Sequence, residues 1–367
     1  MKATFNLPEL MALVKSVNSI APTRDALNVL RCVLLETEST GIVRICATDL
    51  NIRVECRAAA EVAESGQLLV NARLLAGILQ KLDSDTVTIS GTDDKRASIE
   101  GGYASYSLPT LPPETYPSAD TPNCEDIAAV KGIPSLVRRV VFAAAAESKL
   151  PTMRCVNLIF TADGLKATAC DGSRLAVAKA ESKSKTEQSI LVPAASLLKL
   201  SGLVADRDEL HIGVAGKNVF FKKEDFVFSA RLVEGRSINA DSMLKSVQSV
   251  FTMLTDARAM YRAASAASTV GGEQNVFSLC FRGSSICVKC GSENGRSQQS
   301  IKAVALSGTP AGEYWYDQAQ LLGCLRAMKG SLMLDVGQRG VLVMRTDDLC
   351  CLQTSRRRPA NAEDKAA

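Results

Sequence analysis

"RCVLLETESTGIVRICATDL", residues 31–50, is a strand–turn–strand phrase: two short runs rich in Val, Ile and Leu, joined at Thr40 and Gly41. The chain nearly repeats it as "RCVNLIFTADGLKATACDG", residues 154–172, and more weakly as "FSLCFRGSSICVKCGSEN", residues 277–294. The first two copies close on Asp49 and Asp171. Recurrence at a fixed spacing marks internal duplication. Three copies in 367 residues predict three domains of like build.

Helix signals keep the same beat. "NLPELMALVKSV" offers Asn6 as N-cap, Pro8 in the first turn, and Leu10, Leu13, Val14 and Val17 on one face. "NARLLAGILQKL", "IPSLVRRVVFAAAA", "VPAASLLKLSGLV", "TDARAMYRAAS" and "YDQAQLLGCLRAM" follow. Their first-turn positions, Pro8, Ala72, Pro134, Ala194, Asp256 and Gln318, advance in steps of roughly sixty residues. After the second, fourth and sixth helices come alternating strand phrases broken by Gly and Asp, ending in "YASYSL", "DFVFSARLV" and "DDLCCLQ". The unit is one helix plus an antiparallel meander, and two units make a domain. Proline-rich 112–123 and polar 234–245 read as linkers. The expected division is 1–123, 124–245 and 246–355, with 356–367 a basic, disordered, solvated tail.

Composition sets outer limits. With 46% apolar and 22% charged residues the chain has the balance of a water-soluble globular protein. No apolar run reaches a membrane span, and "MKATFNLPEL" lacks the apolar core of a signal peptide, so a cytoplasmic protein with twelve reduced cysteines is expected. A net charge of +4 is mild, but its distribution is uneven. The helical windows carry Lys15, Arg73, Lys81, Arg138, Arg139, Lys149, Lys199, Arg258, Arg262, Arg326 and Lys329 against Glu9, Glu147 and Asp256. A single Lys/Arg-rich helix face is ordinarily just solvated. The same sign on six equivalent helices suits a phosphate backbone met without base readout. Helices pack about 8–10 Å apart, so six in a circle leave no room inside, whereas twelve leave a hole of roughly 26–28 Å. Two chains closing head to tail would supply twelve and admit a nucleic-acid duplex.

"ATDLNIRV", "YSLPTLPPETYP", "CDGSRLAVA" and "DFVFSARLVEGR" stand where the bacterial DNA polymerase III β subunits, the sliding clamps, carry like stretches, and the chain resembles that family over about residues 1–350. The resemblance implies an α+β DNA-clamp fold and a head-to-tail homodimeric ring around double-stranded DNA without sequence specificity. It also implies a non-catalytic role in processivity, with DNA polymerase, clamp-loader subunits, repair polymerases, ligase and mismatch-repair proteins as partners near the nucleoid. No membrane, metal or cofactor is implied.

Arg24 in "APTR" and Arg73 match DNA-facing positions of the family, and Lys81, Arg138, Arg139, Lys199 and Arg326 join them as basic helix positions. Gly172, Arg174 and Leu175 match the rim of a partner-peptide pocket. Cys170 replaces the usual threonine there and Ser173 a common histidine. After "LVEGR" the family's Phe-Pro-Asp-Tyr is replaced by Ser237, Ile238, Asn239, Ala240, Asp241 and Ser242, and its closing Met-Pro-x-Arg-Leu is absent. Ile238, Met243 and Leu352 are expected as substitute walls, with Ser242 beside them. These departures keep a rival in view, a clamp-fold scaffold that binds proteins without encircling DNA.

Other motifs lead away from catalysis. "CVKC" at 287–290 is half a zinc site with no second half. "GVAGK" reads as a hairpin turn, "SMLK" lacks companion motifs, and His211, the sole histidine, has no evident partner in the sequence.

Overall fold

The structure is a computed structural model that describes residues 1–24, 26–39, 41–92, 94–117, 125–271, 275–293 and 295–358. The first repeat runs β1 (Lys2–Asn6), α1 (Leu7–Asn18), β2 (Cys32–Ser39), β3 (Ile42–Thr48), β4 (Ile52–Glu64), β5 (Gln67–Asn71), α2 (Ala72–Leu79), β6 (Thr86–Thr92), β7 (Arg96–Gly101) and β8 (Ala104–Leu111). The second runs β9 (Asp126–Val130), α3 (Ile133–Val140), β10 (Cys155–Thr161), β11 (Gly164–Cys170), β12 (Arg174–Ala180), β13 (Ser182–Ser184), β14 (Gln188–Pro193), α4 (Ala194–Leu203), β15 (Leu210–Ala215), β16 (Asn218–Lys223) and β17 (Phe226–Arg231). A short α5 (Ala240–Lys245) follows. The third repeat is β18 (Ser249–Asp256), α6 (Ala257–Ser268), β19 (Val276–Arg282), β20 (Ser285–Ser292), β21 (Gly295–Lys302), β22 (Val304–Ser307), β23 (Ala311–Asp317), α7 (Gln318–Ala327), β24 (Ser331–Gly337), β25 (Leu342–Arg345) and β26 (Leu349–Gln353). This is an α+β fold in which the repeated helices are entered directly from a strand, except α3, which Lys131 and Gly132 separate from β9.

Four of those entries use the same local chemistry. Asn6, Asn71, Asp256 and Asp317 leave the strand in extended conformation, and their side chains accept from the backbone N–H three residues on, at 2.7–3.1 Å. Each such cap stabilises its helix by about 1 kcal/mol. Gly132 opens α3 without a side-chain cap. That helix is shorter than its apolar pattern suggests. It stops at Val140, and Val141–Ala143 tighten into a 3-10 turn.

The recurring phrase folds the same way in its first two copies. Asp49 Oδ1 accepts from Asn51 N–H and Ile52 N–H at 3.0 and 2.8 Å; Asp171 Oδ1 accepts from Ser173 N–H and Arg174 N–H at 3.0 Å each. The residue after each aspartate has positive φ, Leu50 at 72° and Gly172 at 94°. Thr48 and Cys170 are equivalent, and each accepts from the N–H two residues on. In the third copy Gly291 and Ser292 occupy the corresponding positions, and the carboxylate is gone.

The chain gathers into two compact units, Met1–Lys131 with Ala195–Leu232, and Gly132–Ala194 with the chain from Val233 onward. In the first unit the strands run β1-β6-β7-β8-β5-β2-β3-β4-β17-β16-β15-β9, with β1 also pairing β4. In the second, one sheet is ordered β14-β10-β11-β12-β26-β25-β24-β18-β22 and another β21-β20-β19-β23. The sheets are therefore continuous across repeats. Arg53 of β4 lies opposite Ser229 of β17, and Leu175 of β12 opposite Leu352 of β26. β4, β12 and β21 are the same strand of their repeats, as are β8, β17 and β26. Both junctions are thus one antiparallel pairing made in one register.

Three expectations need correction. The stretch 234–245, read as linker, contains α5, with Asn239 Oδ1 accepting from Ser242 N–H at 3.0 Å. The basic tail is ordered at its start, where Arg356 bridges Trp315 in antiparallel fashion. Arg356 N–H donates to Trp315 O, its guanidinium meets Asp317 Oδ2 at 2.6 Å, and Arg358 lies over the Trp315 ring at 5.5 Å. An open edge of β23 and an aromatic face capture what composition marks as solvated. Residues 359–367 of the tail, and 118–124 of the first linker, lie outside the described residues. His211 does have a partner, Asp126 Oδ2 at 3.0 Å, brought to it by the β9–β15 pairing.

Candidate functional site

The face of the β11–β12–β26–β25 sheet is built in rows, because directly opposed residues of antiparallel strands share a side. Cys170, Leu175, Leu352 and Val343 form one row. Thr168, Val177, Cys350 and Arg345 form the next, and Lys166 stands opposite Lys179 in the third. Along the strands the face thus grades from apolar to basic. Cys170, Leu175, Val177, Val343 and Leu352 are buried in one cluster with Ala240 of α5, and Ile238, Met243, Leu244 and Val247 pack against it. Lys166 Nζ anchors α5 through Asp241 Oδ2 at 2.7 Å. That ion pair holds the Asp241 carboxyl below its ordinary range. Burial pushes the Cys170 thiol up, so it acts as a small apolar wall rather than a nucleophile.

The expected pocket residues therefore separate into groups. Cys170, Leu175, Ile238, Met243 and Leu352 come together. Gly172 and Ser173 lie at the edge, where Asp171 Oδ1 accepts from Ser173 Oγ at 2.8 Å and Gln320 Nε2 donates to Ser173 Oγ at 2.7 Å. Thr354 N–H donates to Ser173 O at 2.9 Å. Ser242 is exposed on α5. Arg174 alternates to the opposite face from Leu175. Its guanidinium meets Asp171 Oδ2 at 2.8 Å and lies over Phe142 at 5.6 Å, where Gly323 of α7 leaves it room. Its fork is thus engaged within the fold by Asp171 and Phe142. Val177, Val343 and α5's Ala240 and Leu244 escaped sequence reading. The period of two from Leu175 to Val177 was the available signal for the first.

The basic positions also divide. Arg24, Arg73, Lys81 and Arg326 are exposed and have no side-chain partner among the described residues. Arg138 is exposed and donates to Ser135 Oγ at 2.9 Å. Arg139 is tied down: it pairs with Asp348 Oδ2 at 2.8 Å and donates to Ser135 O, Lys179 O and Asp348 O at 3.2–3.4 Å. Lys199 Nζ reaches Asp49 Oδ2 at 3.2 Å. Each of these two therefore stands in an ion pair within the fold, with a carboxylate distant in the sequence.

Cys287 and Cys290 fall on opposite faces of β20, and among the described residues no group of His, Cys, Asp and Glu is gathered for a metal ion. Among the same residues no helix is long and apolar enough to cross a membrane.

Two family models match along the chain. The N-terminal domain of the DNA polymerase III beta subunit matches residues 1–120, and its central domain residues 129–237. The chain belongs to the DNA polymerase III beta subunit family. Among its relatives, a beta sliding clamp of Staphylococcus epidermidis is 27% identical over 179 residues, 48% of each chain. One from Staphylococcus aureus is 27% identical over 178 residues, 47% of each chain. The chain thus spans about half the length of the curated relatives it matches. Likeness of fold extends further. The DNA polymerase sliding clamp of Bacillus subtilis superimposes with a TM-score of 0.91 at 22% identity, covering 98% of this chain and 100% of that one. The DNA polymerase III subunit beta of Pseudomonas aeruginosa gives 0.89 at 20% identity, covering 97% and 100%.

Proposed function

We propose that this family member is a non-catalytic DNA sliding clamp. In this reading two copies close head to tail around duplex DNA in the cytoplasm, and the ring tethers a DNA polymerase, clamp-loader subunits and repair proteins. The repeats that close it are the three domains 1–123, 124–245 and 246–355.

One observation carries the reading. The two sheet junctions within the chain use β4 with β17 and β12 with β26, in one register. The equivalent strands left over are β21 and β8. Among the described residues β21 pairs with β20 alone, and Ala104–Pro109 of β8 pairs with β7 alone. A second copy completes both edges by the pairing the chain already makes twice, and two such head-to-tail, heterologous contacts close a ring. The shared register puts Arg296 opposite Ser107 and Ser297 opposite Tyr106 of the other copy. Leu74 on α2 and Tyr106 are exposed apolar side chains that this contact would cover.

Paired cysteines test the register, because opposed residues of antiparallel strands lie within disulfide reach. Ser107→Cys with Arg296→Cys, or Tyr106→Cys with Ser297→Cys, should give on oxidation a linked species of twice 39.1 kDa. That species should stay on nicked circular DNA at high salt and slide off linear DNA. Failure of both pairs to cross-link, or equal loss from circles and linear DNA, would overturn the ring. The apolar end of the β11–β12–β26 face is assigned to a short partner segment, with Arg24, Arg73, Lys81, Arg138 and Arg326 toward DNA phosphates.

A further inference from the structure

We propose that Cys280 and Cys287 form a redox-active dithiol, which a low-molecular-weight disulfide oxidises to a reversible bond across the β19–β20 hairpin.

Cys287 finds no partner along its own strand, because Cys290 projects from the other face of β20. The partner lies across the hairpin. β19 and β20 pair with Cys280 directly opposite Cys287, in a register unbroken from Ser278 opposite Lys289 to Arg282 opposite Ser285. Directly opposed residues of antiparallel strands project to the same side with Cα atoms about 4.5–5.5 Å apart, inside the roughly 4.4–6.8 Å range of disulfides. Among the described residues this is the one place where two cysteines face each other across a strand pair.

Both thiols belong to the solvent face of their sheet. The alternate positions Phe277, Leu279, Phe281, Ile286 and Val288 are buried, and the row through the two cysteines runs Glu313, Cys280, Cys287, Ser300. Ser300 is exposed, Cys287 half-buried and Cys280 6% exposed. Glu313 is turned aside: its carboxylate accepts from Ser278 Oγ and pairs with Lys289 Nζ at 3.2 Å. No third ligand joins the two thiols for a metal ion among the described residues, so the chemistry they offer is thiol exchange.

The difference in exposure divides the work. The Cys287 thiolate, reachable from solvent, attacks one sulfur of the small disulfide; a mixed disulfide forms on Cys287 and one small thiolate leaves. The Cys280 thiolate then attacks Cys287 Sγ, closes the bond between the two cysteines and expels the second small thiolate. Two protein thiols are oxidised and one small disulfide is reduced to two thiols, which take up the protons that the cysteines lost. In a reducing compartment such a bond is transient, the behaviour of a sensor rather than of a structural staple. Cys324 and Cys351 are wholly buried, and burial pushes the Cys351 thiol up, so the oxidant does not reach them.

The test treats the folded, full-length protein with oxidised glutathione, blocks the remaining thiols with iodoacetamide and digests with trypsin. Trypsin cuts at Arg282, between the two cysteines, so the bond is read as residues 263–282 joined to 283–289. This joined product should exceed any other by about tenfold, because opposed thiols react as a positioned unit, and dithiothreitol should remove it. Cys280→Ser should stop the reaction at a glutathione adduct on Cys287, whereas Cys287→Ser should leave Cys280 unmodified. The wild-type map decides the matter even where a serine variant folds poorly. No reaction, a lasting Cys287 adduct in the wild type, joining of Cys324 to Cys351 instead, or appearance of the 263–282 product only in urea would each overturn the proposal.

Discussion

Arg139→Ala separates a structural arginine from one that meets phosphate. Its guanidinium holds Asp348 Oδ2 at 2.8 Å and three backbone carbonyls at 3.2–3.4 Å, and its side chain is 19% exposed. With Asp348 half exposed, the ion pair contributes roughly 0.5–1 kcal/mol, and the longer carbonyl contacts add a few tenths each where water only partly replaces them. The sum is about 1–2 kcal/mol of folding stability. In urea unfolding this should appear as a lower midpoint with an unchanged slope. Arg139→Lys should fall between, because an ammonium cannot span four acceptors with one planar fork. The salt dependence of DNA association should not move. By contrast, Arg24→Ala with Arg73→Ala should leave the midpoint in place and flatten the log–log salt slope by about 1.8, close to 0.9 per lost phosphate contact. Were Arg139→Ala to keep full stability and flatten the slope by about 0.9, the argument from its carbonyl contacts would be wrong.

Leu175 is 1% exposed, so Leu175→Ala should cost about 2–5 kcal/mol of stability through the cavity it leaves, in addition to weakening any bound peptide; an unchanged unfolding midpoint would show that α5 collapses to fill the space. Asp208 is held below the ordinary carboxylate range by the Lys223 ammonium and then by the Ala205 N–H, so its contribution is complete above about pH 4 and is lost as pH falls below that. Asp208→Asn should flatten acid unfolding over that window, and a parallel curve would deny the linkage. Truncation after Ser355 strips the Arg358 cover from Trp315, the sole tryptophan, and should shift its emission to longer wavelength. An unmoved spectrum would mean the tail is not seated there in solution.

The repeat and its hairpins were legible because they are local. Period-two alternation in "RCVNLIF" and "LKATAC", and Asx turns at Asp49 and Asp171, need no distant partner. What escaped was set by pairings the sequence does not announce. Arg139 finds Asp348 across 209 positions and Lys199 finds Asp49 across 150, so both looked like open cations on helix faces. Arg174 and Leu175 sit side by side in sequence, yet strand alternation sends them to opposite sides of the sheet. α5 is a single short turn whose helical state depends on Asn239 and on burial of Ala240, and "EGRSINADSMLK" reads as linker until the sheet beneath it is known.

The two junctions inside the chain and the pair proposed between copies differ in one respect, covalent connection. When β17 separates from β4, or β26 from β12, the polypeptide still holds the parted strands near each other, so they rejoin at an effective concentration of roughly millimolar. A strand pair between copies has no such tether once its ring-mate junction has also parted. With the same hydrogen bonds at every seam, the lifetime of the closed state is then decided by connectivity rather than by bond strength. Dilution, mechanical strain or a protein that pries strands apart would all act first at the two seams where the backbone does not cross. Joining Ala367 of one copy to Met1 of the next by a long flexible linker would supply the missing tether and should therefore slow opening.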